Sequence, residues 1–148
     1  MDSCCSSSSE KVTAKTRQAA SCPCCGISAK RVERVTLMHQ VVAPLNQQLP
    51  PDDFYFCRST SCNTVYFSNG GAAIDASQIR AEVGHKSTQP GRVICYCFGI
   101  SHSRIMAEIE KTGTCASRVF VMEQTKLKNC ACDIRNPSGK CCLKEFPT

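Results

Sequence analysis

Tryptophan is missing from this chain, and aromatic residues make up only 6% of it. Over 148 residues with 42% hydrophobic content, such a composition supports one modest core or two small ones, thin enough to need help from other bonds. No apolar run approaches the roughly 20 residues of a membrane-spanning helix, so membrane insertion is not expected. Residues Met1 to Glu10 carry neither a basic n-region nor an apolar h-region, which argues against a secretory leader. There is no G-x-S-x-G, P-loop or dinucleotide glycine motif, and hydrolase or kinase chemistry finds no support. No internal repeat is present.

What the chain does have is 14 cysteines. Without a leader, these fit a reduced, cytoplasmic compartment and bound metal better than a secreted disulfide framework. The formal net charge of +6 invites a nucleic-acid reading, but it counts every thiol as neutral. A Zn²⁺ held by four thiolates carries about −2, and so does an oxidised [2Fe–2S] centre with four thiolates, which leaves about +2 overall. The Lys and Arg residues are scattered, with no basic run interleaved with aromatics, and no nucleic-acid partner is expected.

The first cysteines, Cys4-Cys5, lie in a polar arm of residues 1–20 that lacks apolar periodicity and reads as disordered at least to about Glu10. Their exposed thiols could capture Cu(I), although nothing in such an arm fixes their geometry. Residues 21–86 then read as a β-rich zinc module. Cys22-Pro23-Cys24-Cys25-Gly26 contains a C-x-x-C knuckle, Cys22 and Cys25, with Cys24 left as the odd thiol. Its partner is Cys57-x4-Cys62, placed between Asp53-Phe54-Tyr55-Phe56 and Thr64-Val65-Tyr66-Phe67, two β-prone runs that predict a hairpin. Four sulfurs from two knuckles suit a closed structural Zn²⁺ site. Arg31 to Val42 is expected as a strand, Pro44 to Leu49 as a short helix, and Ala73 to Val83 as one or two strands. Lys86 to Gly91 reads as a linker.

Residues 87–148 read as a helical second module. Cys95-Tyr96-Cys97 precedes a helix that Ser101 can cap, with Ile100 and Ile105 placed as a hydrophobic staple and Gly113 closing the end. A second helix is expected from Ala116 to Lys128, although Arg118 to Met122 is also β-prone. Asn136-Pro137-Ser138-Gly139 is a turn that folds Cys141 and Cys142 back toward Cys132. Two thiols one residue apart, followed by more around a turn, can supply the four thiolates that a [2Fe–2S] rhomb needs, two per iron. Cys130 and Cys141 compete with Cys132 and Cys142 for the last two places, and the spacing does not choose. All of these positions fall in expected loops or turns, which predicts a cluster near the surface. Cys115 and the histidines His39, His85 and His102 are expected to be packing or surface residues, because no two histidines share a ligand spacing and the cysteines fill both sites.

Cys95-x-Cys97 followed by a Ser-capped helix resembles the [2Fe–2S] module of bacterioferritin-associated ferredoxins. Cys132-x3-Asn136-Pro137-Ser138-Gly139-Lys140-Cys141-Cys142 is similar to the N-terminal domain of CopZ-type copper chaperones, and the likeness runs from about Ser21 to Phe146. Carried over by position, the resemblance implies Cys95, Cys97, Cys132 and Cys142 as cluster ligands and agrees with zinc at Cys22, Cys25, Cys57 and Cys62. It implies an α+β protein of copper homeostasis, in which an electron donor reduces the cluster and Cu(II) is reduced to Cu(I) for a chaperone or metal-exporting ATPase. The chain departs from that family in having no M-x-C-x-x-C and no room for the ferredoxin-like copper-binding domain, which puts copper delivery in cis in doubt. A metal-ion reductase activity is the one enzymatic expectation. A redox or metal sensor using the surplus thiols Cys130 and Cys141, and a non-redox interaction module with two zinc sites, are the alternatives.

Overall fold

A computed structural model of the chain describes residues 18–147; Cys4 and Cys5 lie outside them. The fold is α+β. Five short antiparallel strands run in the order β1 (Ala19–Ser21), β2 (Ser28–Val32), β3 (Phe54–Phe56), β4 (Thr64–Ser68) and β5 (Ala73–Asp75). A helix, α1 (Arg34–Gln40), crosses between β2 and β3. The second half holds a two-stranded ribbon, β6 (Val93–Cys95) and β7 (Ile100–Ser101), and three helices, α2 (His102–Thr112), α3 (Ala116–Lys126) and α4 (Cys132–Arg135). Among the described residues no helix is long and apolar enough to cross a membrane.

Alternation along β3 decides what each face of the sheet buries. Phe54 and Phe56 point into a core with Val32, Leu37, Tyr66 and Ile74. Tyr55 points the other way and stacks on Phe67, ring centroids 5.5 Å apart, in a second cluster that includes Cys22, Cys57 and Cys62. The sheet is therefore covered on both faces, and the sulfurs occupy one of them. A third cluster joins Cys95, Ile100, Ile105, Val121, Cys142 and Phe146 in the second half.

The expected strand over Arg31 to Val42 is corrected. The strand stops at Val32, Glu33 stays extended at φ −77° and ψ 154°, and α1 follows. Leu37 and Val41, both buried, stand one helical turn apart, and Val35 faces outward at 38% exposure. Packing on the sheet outweighs the β preference of Val35 and Thr36. Beyond β5 a second strand does not form, apart from an isolated bridge between Val41 and Ile79. Instead Asp75 caps a 3-10 turn over Ala76–Gln78, accepting from the Ser77 amide at 2.9 Å while Gln78 accepts from the Asp75 amide at 3.1 Å.

Helix α2 forms where its ends predict, and α3 covers most of the expected Ala116 to Lys128. The Ser101 hydroxyl accepts from the Arg104 amide at 3.2 Å, and Gly113 closes α2 in the left-handed region at φ 74°. Ile100 and Ile105 both lie in the third core, as the staple requires. The run Arg118 to Met122 belongs to α3 and not to a strand. Glu108 of α2 then receives the Ser117 amide at 2.9 Å and the Ser117 hydroxyl at 2.6 Å. That side chain supplies the partner for the first turn of α3 that Cys115, its N-cap residue, does not.

The two halves interlock through the segment after α3. Thr36 and Gln40 of α1 donate to backbone carbonyls of α4, Tyr66 donates to the carbonyl of Pro137, and Arg58 pairs with Glu145 at 3.0 Å. The turn there closes with the Gly139 amide on the Asn136 carbonyl at 2.8 Å, while the Asn136 side chain accepts from Ser138. A β-carbon on Gly139, at φ 69°, would lie 2.7 Å from the Thr36 hydroxyl, so this approach of the turn to α1 requires glycine.

Candidate metal centres

Cys22 follows β1 and enters a tight loop, where its amide donates to the Ile27 carbonyl at 2.9 Å and its carbonyl accepts from the Gly26 amide at 2.8 Å. Gly26 at φ 77° makes that turn. Cys57 follows β3, its amide on the Val65 carbonyl at 2.8 Å, and Cys62 lies in the loop before β4. These elements bring the sulfurs of Cys22, Cys25, Cys57 and Cys62 within 4.8 Å of one another. Cys22 and Cys62 are 4.0 Å apart and Cys25 and Cys57 3.6 Å apart. Tetrahedral Zn²⁺ with bonds of about 2.3 Å needs sulfurs about 3.8 Å apart, so the quartet fits a four-sulfur ion. Cys22, Cys57 and Cys62 are buried and Cys25 is exposed.

Of the two pairings open to the first knuckle, the fold gathers Cys25 and leaves Cys24 exposed at its edge. Burial pushes the Cys57 thiol up to about 12. Burial also opposes ionisation of Cys62, but the Thr64 amide and the neighbouring thiols of Cys24 and Cys25 overcome it and bring that group down to about 6. Lys86 reaches over the same loop, its ammonium donating to the Ser59 and Cys62 carbonyls at 2.9 and 2.8 Å. A cation so placed compensates thiolate charge and pins the ligand loop. Lys86 falls in the stretch expected as a linker, and nothing local to it points to a loop more than 20 residues away.

The second group has a different shape. Cys95 ends β6, Cys97 sits in the turn to β7, Cys132 opens α4, and Cys142 opens a 3-10 turn over Cys142–Glu145. Cys97 and Cys132 lie 3.8 Å apart, and the Ala131 amide donates to the Cys97 sulfur at 3.2 Å. The neighbouring Cys142 thiol, against the effect of burial and with help from the Phe98 and Cys97 amides, brings Cys95 down to about 6. Cys142 is pushed up by Cys95 and by burial, and Cys132 is pushed up to about 12 by burial and by Cys97 beside it. Cys130 turns instead to the Thr125 hydroxyl, 3.8 Å away, and Cys141 is exposed. Two expectations change here. Cys132 opens a helix turn that the sequence did not announce, and Cys95 and Cys142 are each only 1% exposed, while Cys97 and Cys132 are partly exposed.

None of the described histidines joins a group of three or more metal-ligating atoms. His85 packs edge-on to Phe56 and stacks on Tyr96, and burial lowers its pKa. Cys115 packs at the joint of α2 and α3, its thiol 3.7 Å from Glu108.

Sheet, knuckles and sulfur quartet together define a small α+β metal-binding protein of the cysteine-rich, zinc-binding kind. Residues 19–80 match the family model of CopZ type described as a zinc-binding domain. The chain is similar to the copper chaperone CopZ of Archaeoglobus fulgidus, 31% identical over 121 residues, which make up 82% of this chain and 57% of that protein. It therefore spans little more than half the length of that relative. Its fold is similar to the X-ray structure of the A. fulgidus CopZ N-terminal domain, with a TM-score of 0.71 and 29% identity over 87% of this chain and 100% of that one.

Proposed function

We propose that the chain is a zinc- and iron–sulfur-binding electron-transfer protein of soft-metal homeostasis. In this reading residues 21–86 form a module whose structural Zn²⁺ is held by Cys22, Cys25, Cys57 and Cys62. Residues 87–148 form a second module in which Cys95, Cys97, Cys132 and Cys142 hold a [2Fe–2S] cluster. The observation that carries the reading is the contrast between the two thiol groups. The first is one mutual quartet, as a single ion demands. The second is looser: Cys97 stands beside Cys132 at 3.8 Å, Cys95 and Cys142 are buried together in the third core, and among the described residues no three of its sulfurs share the mutual 4.8 Å spacing of the first. Such a spread suits two irons.

The bound cluster supplies one-electron chemistry. The protein's own groups tune it: the Ala131 amide on Cys97 and the Phe98 and Cys97 amides at Cys95 stabilise thiolate charge. Partly exposed Cys97 and Cys132 give that charge an edge toward solvent, where a partner can approach. The proposed reaction is one-electron reduction of Cu(II) to Cu(I), in the cytoplasm, for a copper chaperone or metal-exporting ATPase, with the electron drawn from a separate donor. The likeness to a copper chaperone supports the choice of metal.

Anaerobic purification followed by metal analysis, visible absorption and paramagnetic resonance of the dithionite-reduced protein tests the reading. One zinc and two irons per chain, a brown colour and a signal on reduction are expected. A colourless protein with two zincs would refute the iron–sulfur part. Rapid mixing of the reduced protein with Cu(II) should give Cu(I) in step with reoxidation, and simple displacement of iron by copper would sink the copper part.

A further inference from the structure

Neither proposed metal site uses a cleft of about 460 Å³ on the seam between the two halves, a size typical of small-molecule sites. Arg58 enters it from the loop between Cys57 and Cys62, His85 and Arg92 from the connecting segment, and His102 from the start of α2. Among the described residues, Glu145 is the one carboxylate that lines it. That group is already engaged with Arg58, whose Nη2 makes both bonds at 3.0 Å and leaves the rest of its guanidinium fork uncommitted. Arg92 is half-buried and spends one N–H on the Gln89 carbonyl at 3.2 Å. It has no carboxylate partner among the described residues.

His85 packs between Phe56 and Tyr96 and its Nδ1 is shielded from solvent, so the imidazole that the cleft offers a ligand is that of His102. The first amides of α2 are not the source of attraction, because those of His102 and Ser103 are taken by the Arg92 and Pro90 carbonyls. The cleft thus combines guanidinium and imidazole donors with the hydroxyls of Ser87 and Thr88, while Val93, Ile94 and Pro147 add apolar wall.

We propose that this seam cleft binds a small phosphate monoester. Guanidinium, imidazole and hydroxyl groups line the cleft from both halves, enough donors to divide among the three terminal oxygens of a tetrahedral dianion. The volume exceeds what inorganic phosphate fills, and the apolar wall suits the ester's organic part. Because Arg58 belongs to the zinc-binding half and Arg92 and His102 to the other, the ligand bridges the two.

Calorimetric titration of the metal-loaded chain with phenyl phosphate, inorganic phosphate and benzoate tests this. Phenyl phosphate should bind saturably at one site, more tightly than either control, and more weakly as salt rises. Arg92→Gln and His102→Ala should each weaken it at least tenfold, and Lys111→Gln at the far end of α2 should not. Should Arg92→Gln lose metal, His102→Ala decides. No saturable binding to the wild type, or equal binding to a folded His102→Ala protein, would overturn the site. Benzoate binding as tightly as phenyl phosphate would overturn the ligand class.

Discussion

The hydroxyl of Thr36 donates a 2.7 Å hydrogen bond to the carbonyl of Asp133, so the helix beside the sheet holds the turn that presents Cys132. Gln40, one helical turn on, donates to the Ile134 and Arg135 carbonyls at 2.9 and 3.0 Å. Replacing Thr36 by Val keeps the shape and leaves a carbonyl without its donor, which costs about 1–3 kcal/mol. Gln40→Leu should cost as much or more. Denaturant unfolding measures both, and iron content, not zinc, is expected to fall with them. Equal loss of the two metals would show that α1 does not act through α4.

The ligand sets separate by substitution. Cys22→Ser or Cys57→Ser should remove zinc and destabilise the fold, since binding at a closed four-sulfur site is folding free energy. Some cluster signal should survive. Zinc retained at one per chain in both variants would remove these residues from the site.

In the second half, Cys97→Ser and Cys142→Ser should lower iron below one per chain, whereas Cys130→Ser and Cys141→Ser should leave two. Iron analysis after anaerobic purification reads the difference. Dependence on Cys130 or Cys141 would redraw the cluster.

Lys86→Met should weaken zinc retention about 10-fold or more against a chelator, the scale found for groups that orient metal ligands. The substitution keeps the apolar stem and removes the donor to the Ser59 and Cys62 carbonyls. An unchanged rate of zinc loss would make Lys86 a packing residue only.

The joint of α2 and α3 carries a pH signature. The Ser117 hydroxyl and amide hold Glu108 below its ordinary value of 4.5, against a small opposing effect of burial. A carboxylate lowered on folding stabilises the native state above the unfolded value, and that contribution is lost as pH falls through the folded value. Acid titration of stability should therefore be steeper for the wild type than for Glu108→Gln below pH 4.5. Parallel curves would mean that Glu108 is equally solvated in both states.

Features set by short stretches of chain were legible in the sequence, because their physics is local. Ser101 and Gly113 bound α2, Pro and Gly shape the first knuckle, and the β-prone runs Phe54 to Phe56 and Thr64 to Phe67 give the hairpin. Arg31 to Val42 was misjudged because its apolar residues fit either period, and the choice between them is made by the sheet beneath Leu37 and Val41. Spacing could not rank Cys132 above Cys130, which lies two residues away. Their separation depends on α4, a single turn pinned by Thr36 and Gln40 from almost the other end of the chain. The convergence of His85, Arg92 and His102 on one cleft was equally invisible, since no periodicity links them.

The thiols of the second group come from places far apart in synthesis. Cys95 and Cys97 leave the ribosome well before Cys132 and Cys142, while the sheet and its sulfur quartet are complete in the chain by Asp75. Domains fold as they emerge, so the zinc-binding half can be metallated while the rest is still being made. The docking ground that α1 and Tyr66 offer to residues 132–139 then exists before that segment arrives. On the proposed reading of the two thiol groups, maturation would be ordered in time: zinc first, closure of the C-terminal segment next, and the cluster last.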